Sequence, residues 1–259
     1  MRIEQLGDGT PEVAVVAGIH GDEPCGVRAV ERLLEDPPAV SRPVMLVIAN
    51  EEALAQGTRY VEEDLNRAFP GDPDGETHEQ RLATELTDAI AGCTTLALHS
   101  TQSYEEPFAI VRDAAGVPGE LASYLSVDAV VEVGPFDDGR LFESVTDLVE
   151  IECGYQGSEQ AAENASRIVR EFLAATDALA AEPRPERRDH PVFRLDDVVP
   201  KGAADRYEVF VANFERVEAG DTFAVADDQE YVADEPFYPV LLSANGYEDV
   251  FGYAAIRAD

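Results

Sequence analysis

Three features of the sequence predict an α/β domain followed by a small all-β segment. Short apolar runs alternate with longer stretches of helical periodicity as far as about residue 181. A charged, proline-rich break, EPRPERRD at 182–189, interrupts the pattern. Beyond it the helical period disappears and the runs become short and alternating.

The runs at 12–17 (EVAVVA), 44–49 (VMLVIA) and 95–98 (TLAL) are short, apolar and partly β-branched, as in strands buried on both faces. Runs at 108–111, 129–133 and 148–153 have the same character. Helices are expected at 24–36, 78–91, 118–126 and 158–180. The second opens on a capping box, with Thr77 as N-cap and Gln80 at its third position. Strands alternating with helices in this way build a sheet covered on both faces. The break at 182–189 reads as a linker between a domain at 1–182 and a β-rich one at 183–259. In the latter, VFRLDDVV, YEVFVANF, TFAVADD and PVLLSANG are strand-like runs separated by Gly, Pro or Asp.

Composition narrows the function. With 259 residues, 45% of them hydrophobic, the chain can bury a substantial core. No run approaches the ~18 apolar residues of a membrane span, and MRIEQLGDGT lacks the regions of a signal peptide, so a cytoplasmic protein is expected. The net charge is −34, from 53 acidic against 19 basic residues, and Lys201 is the sole lysine. Such a surface repels itself at low ionic strength and suits a high-salt cytoplasm. It also disfavours nucleic acid and anionic membrane as partners. Cys25, Cys93 and Cys153 are scattered and odd in number, which points to small buried hydrophobes, not to a disulfide framework or a structural zinc site.

Four segments carry chemistry. Gly18-Ile19-His20-Gly21-Asp22-Glu23-Pro24 follows the first strand, where open α/β sheets place their ligands. His20 and Glu23 are three apart and can face one ion. His99 closes the strand at 95–98. Two histidines and a carboxylate at strand ends make the three-ligand set of a catalytic zinc site, whose fourth position holds water. The other histidines, His78 in a helix cap and His190 at the linker, are expected to be solvated. The loop TRYVEEDLNRAFPG at 58–71 sets Arg59, Asn66 and Arg67 among acids. Arginine suits bidentate recognition of a carboxylate and polarisation of a carbonyl; surface pairing with neighbouring acids is the alternative. Finally, Glu150 and Glu152 in Glu150-Ile151-Glu152-Cys153-Gly154 share one strand face. Either could serve as a general base or be a salt-bridged acid.

In this order the four segments resemble the succinylglutamate desuccinylase/aspartoacylase family, relatives of the zinc carboxypeptidases. The likeness spans residues 12–156 by motif: G-x-H-G-[DN]-E, T-R-Y…D-L-N-R, L-H-[SN]-T and I-E-[CV]-G. It implies a mixed, mostly parallel central sheet flanked by helices. It further implies one zinc ion on His20, Glu23 and His99, with Arg59 polarising the substrate carbonyl and Glu152 acting as general base. Asn66 and Arg67 would grip an α-carboxylate, and Tyr247, in Ala244-Asn245-Gly246-Tyr247, matches a substrate-contacting tyrosine. Glu150 has no counterpart. Two positions depart from the pattern. Ala97 stands where the family carries an acid two residues before the second zinc histidine. Phe142 stands where the aspartoacylase branch carries an arginine, the nearest being Arg140, so the acyl group and amino acid stay open.

The expected activity is zinc-dependent hydrolysis of the amide bond in a small N-acylated amino acid, by a protein that could be a homo-oligomer. A metallocarboxypeptidase acting on peptides, or a non-catalytic binding protein for an acidic metabolite, are the rival readings. A serine or cysteine hydrolase has no support, since there is no G-x-S-x-G and no histidine is paired with a cysteine.

Overall fold

Strands and helices alternate through the first two thirds of the chain, which a computed structural model describes over residues 1–258. The order is β1 (Arg2–Leu6), β2 (Val13–Ala17), α1 (Cys25–Glu35), β3 (Val44–Ile48), α2 (Glu51–Gln56) and α3 (His78–Ala89). Next come β4 (Thr94–Thr101), β5 (Phe108–Val111), α4 (Val117–Ala122), β6 (Val130–Glu132), β7 (Leu148–Tyr155) and α5 (Glu159–Ala175). Strands follow the proline-rich segment: β8 (Val192–Pro200), β9 (Tyr207–Val209), β10 (Thr222–Ala226), β11 (Gln229–Val232), β12 (Tyr238–Val240) and β13 (Val250–Arg257).

Ten strands form one mixed sheet in the order β1-β3-β2-β4-β7-β5-β6-β8-β13-β12. Its centre, β3-β2-β4-β7, is parallel, whereas β1 pairs antiparallel with β3 and β5 antiparallel with β7. The central strands carry the apolar runs read from the sequence, and Val13–Ala17 is buried throughout, as a parallel strand covered on both faces requires. A second, three-stranded antiparallel sheet, β11-β10-β9, stands apart near the C-terminal end. The β-rich segment therefore divides. β9 to β11 form their own sheet, while β8 pairs parallel with β6 and brings β13 and β12 into the large one.

The helices cover the sheet as their apolar faces dictate. On one face α1, α4 and α5 bury Cys25, Ala29, Val30, Leu33, Leu121, Ala122, Ile168, Val169 and Phe172 against the strands. On the other, Leu82, Ala83 and Leu86 of α3 and, further along the sheet, Phe193, Leu195, Val240 and Tyr253 of the C-terminal segment belong to a second continuous core. Truncating the fully buried Phe172 to Ala would cost about 3–5 kcal/mol, since the cavity it leaves cannot fully collapse. The capping box forms as the spacing requires, with the Thr77 hydroxyl accepting from Gln80 N at 3.2 Å. α5 stops at Ala175, short of the expected 180, because Asp177 adopts φ +56° and turns the chain away. All three cysteines are free and buried. Among the described residues no helix is long and apolar enough to cross a membrane.

Candidate active site

Three adjacent parallel strands deliver the site residues at their carboxyl ends. Beyond Ala17 of β2 the chain turns through Gly18 and presents His20 and Glu23 before entering α1. His99 lies near the carboxyl end of β4, paired in register with Glu152 of β7. Two glycines make this turn possible. Gly18 has φ +67°, where a Cβ would also lie 2.8 Å from Leu54 Cδ1. A Cβ on Gly21 would lie 2.2 Å from the Ala53 carbonyl carbon, so only glycine lets the loop rest on α2 and donate its N–H to Arg59 O at 3.1 Å.

The arginine-bearing loop is held by a buried acid on α3. The Glu79 carboxylate accepts from the backbone N–H groups of Val61, Glu62 and Glu63 at 2.7, 3.1 and 3.3 Å, and from Asn50 Nδ2 at 3.0 Å. Burial opposes the Glu79 charge, yet these donors outweigh it and hold its carboxyl below the usual range. Asp64 then caps a short 3-10 turn at Leu65–Arg67, accepting from Asn66 N at 2.8 Å.

His20 Nδ1 lies 2.8 Å from Glu23 Oε1, and His99 Nδ1 lies 3.0 Å from Glu23 Oε2. Both rings and the carboxylate are buried, and one ligand atom from each lies within 4.8 Å of the others. On the far side of its ring, His20 Nε2 meets Asp64 Oδ1 at 3.1 Å. Arg59 bridges the two acids, donating from Nε to Asp64 at 3.0 Å and from Nη1 to Glu23 at 3.1 Å. Ser100 N donates to Glu23 Oε2 at 3.2 Å. This donor set fits a zinc ion: two imidazole nitrogens and a carboxylate converge, and Asp64 can fix the His20 tautomer with its proton on Nε2.

Charge follows this geometry. Burial opposes the Glu23 charge, but the charge and hydrogen bond of His20, then the hydrogen bond of His99, keep its carboxyl well below the usual range. Burial also disfavours a charged His99, yet the Glu23 hydrogen bond and charge push it up to about 10. Glu152 is raised to about 7, first by burial and then by the charge of Glu23, with His99 pulling the other way. A carboxylate near 7 is poised to accept and return protons at neutral pH.

These groups open into a cavity of about 150 Å³. The structure brings every residue singled out from the sequence into its wall: His20, Glu23, Arg59, Asn66, Arg67, His99, Glu152 and Tyr247. Asn66 is buried, its side-chain oxygen accepting from Leu141 N at 3.0 Å, while Arg67 reaches the surface. Tyr247 comes from the loop between β12 and β13, whose backbone carbonyls at Ala244 and Tyr247 are bonded by Lys201 Nζ. Phe142 is fully buried in the core and turned away, whereas Arg140 lines the cavity and donates to Tyr253 Oη at 2.5 Å. His78 and His190 are half-buried and far from this wall, where solvated rings were expected.

Sequence reasoning missed Glu79 and Asn50, which carried no signal; it noted Lys201 only as the sole lysine and Arg140 only as the arginine nearest Phe142, and placed neither in the cavity.

A buried two-histidine, one-glutamate group at the carboxyl ends of a mostly parallel sheet defines the class: an α/β protein in which three side chains could hold a metal ion. Residues 9–176 match the model of the succinylglutamate desuccinylase/aspartoacylase catalytic domain. The chain belongs to that family. Over 91 residues it is 37% identical to the N-acyl-aromatic-L-amino acid amidohydrolase (carboxylate-forming) of Rattus norvegicus, a match covering 30% of this chain and 27% of that protein. Over 84 residues it is 37% identical to the succinylglutamate desuccinylase of Pseudomonas aeruginosa (strain LESB58), covering 30% of this chain and 25% of that one. The matched stretch is thus about a quarter of each relative's length. The fold is shared with the product-bound ectoine utilization protein EutE (DoeB) of Ruegeria pomeroyi, at TM-score 0.81 and 20% identity over 98% of this chain and 88% of that one. Murine aminoacylase 3 aligns at TM-score 0.73 and 19% identity over 97% of both chains.

Proposed function

We propose that this protein is a zinc-dependent amidohydrolase that removes the acyl group from a small N-acylated amino acid. The observation that carries the reading is the joint placing of His20, Glu23 and His99 with Glu152 and Arg59 around one cavity. Zinc held by the first three would supply an acidified water and a Lewis acid for the scissile carbonyl.

The remaining chemistry belongs to the side chains. Glu152 takes a proton from the attacking water and returns it to the leaving amine, a role its raised proton affinity suits. The guanidinium of Arg59 donates to the carbonyl oxygen as charge develops there. Burial works against its charge, but Glu23 and Asp64 hold it protonated. Arg67 and Asn66 grip the α-carboxylate and Tyr247 closes over the substrate, so binding energy is converted into orientation.

The cavity around the metal-ligand candidates is about 150 Å³ and adjoins a wider cleft through Arg59, Arg67 and Asn245 to Tyr247. The family's deacylases are the reason for preferring a small N-acyl amino acid over a peptide chain. The test is a panel of N-acyl amino acids and short peptides assayed with zinc-loaded and chelator-treated protein. Zinc-dependent release of free amino acid is the expected result. C-terminal residues released from peptides would favour a carboxypeptidase, and binding without turnover would favour a metabolite-binding protein.

A further inference from the structure

Five polar atoms of residues lining the cavity are buried without a hydrogen-bond partner, on Asp22, Ser100, Glu152, His99 and Glu150; His99 Nε2 and Glu150 Oε1 form a complementary donor and acceptor among them. They sit on neighbouring parallel strands, β4 and β7, where Ala97 pairs with Glu150 and His99 with Glu152. Alternation puts all four side chains on one face of the sheet. If His99 offers Nδ1 to the metal, its Nε2 carries the proton and needs an acceptor. His20 already has one in Asp64, whereas Ala97, the neighbour of His99 on its own strand face, ends in a methyl group. Glu152 is committed to moving protons. Glu150 is 2% exposed and lines the cavity, and its Oε1 has no hydrogen-bond partner.

We propose that Glu150 is a positioning residue for the metal centre, its carboxylate accepting the Nε2 proton of His99 directly or through one water in the cavity. Resting on the zinc amidohydrolase reading above, this role supplies from β7 the acceptor that Ala97 denies on β4. A lone buried carboxylate would be costly here, but Arg140 lines the same cavity. Burial opposes the charge of Arg140, while Tyr253, Tyr247 and Glu150 favour it. Burial opposes a charged His99, and the charge of Glu150 favours it, after the hydrogen bond and charge of Glu23.

The test is competition for Zn²⁺ between the full chain and a chromophoric chelator. Glu150→Ala is expected to weaken zinc binding about 10–100-fold, and Glu150→Gln, which keeps an acceptor oxygen, by less. Adding Ala97→Asp to Glu150→Ala puts a carboxylate on the same face of β4 and should recover most of the loss. Glu150→Met, similar in shape but without the carboxylate, replaces the alanine variant if that does not fold. Unchanged zinc affinity in folded Glu150→Ala or Glu150→Met would overturn the proposal. Failure of Ala97→Asp to restore affinity would also count against it. Since the assay uses no substrate, failure of the deacylase reading would leave this result standing.

Discussion

His20 Nε2 lies 3.1 Å from Asp64 Oδ1, across 44 residues of sequence, and this contact ties the first strand-end loop to the arginine loop. Through the other oxygen of Asp64 the same acid orients Arg59. Asp64→Ala should therefore lower zinc affinity about 10–100-fold, by freeing the ring of His20. It should also lower kcat by loosening Arg59. Chelator competition and steady-state kinetics on one preparation separate the two effects, and Asp64→Asn should lie between wild type and Ala.

Glu152→Gln removes the proton acceptor while keeping the side chain's shape. A fall in kcat of about 10²- to 10⁴-fold is expected, with zinc content retained and KM little changed. Activity within a few-fold of wild type would exclude Glu152 as the base.

Arg67→Ala should act on binding. Losing a charge-assisted contact to a carboxylate costs about 1.5–3 kcal/mol, or roughly 10- to 150-fold in kcat/KM, expressed mainly in KM. Arg67→Lys should recover only part, because an ammonium cannot reproduce the two-pronged geometry. Kinetics with a substrate lacking the α-carboxylate should show almost no difference among the three proteins.

Glu79 makes a pH-dependent contribution to stability. Its folded carboxyl lies below the usual range, so the unfolded chain binds the proton more readily. The contribution is full above the ordinary carboxylate range and is lost as pH falls through the folded value. Glu79→Gln should thus be less stable than wild type at neutral pH, the gap narrowing on acidification. Denaturant titrations at several pH values measure this, and faster hydrogen exchange at Val61, Glu62 and Glu63 would locate it.

Salt should matter throughout. A net charge of −34 on 259 residues leaves most acids without a basic partner, and screening by ions relieves their repulsion. The thermal midpoint should fall steadily on dialysis from molar to millimolar salt. Full stability in dilute buffer would show that the surface pairs suffice.

The centre of the fold could be read from sequence because β2, β3, β4 and β7 are apolar, β-branched and bounded by polar turns, and each catalytic candidate follows such a run. His20, Glu23 and His99 were legible as a candidate set for that reason, whereas choosing Glu152 over Glu150 took the family resemblance. The arrangement of strands was less so. Pairing is decided by contacts distant in sequence, so nothing in FAIV at 108–111 indicates that β5 runs antiparallel to β7. Nor does VFRLDDVV announce that β8 continues the large sheet beside β6. Glu79 was hidden differently. A helix acid next to polar neighbours looks like any of 53 acids, and only the fold shows three backbone N–H groups meeting it. Arg140 was noticed only as the arginine nearest Phe142; its burial and its bond to Tyr253 arise across 113 residues.

The position of β13, hydrogen-bonded between β8 and β12 inside the large sheet, has a consequence for biosynthesis. A growing chain holds the ligands His20, Glu23 and His99 long before residues 250–257 are made. The sheet wall behind Tyr247 cannot close until then, because β8 has no partner on that side. Up to that moment β8 presents an open edge, a template for wrong pairing with another chain. A surface so densely acidic keeps nascent chains apart through this interval, so the same charge that burdens the folded protein at low salt can protect it during synthesis.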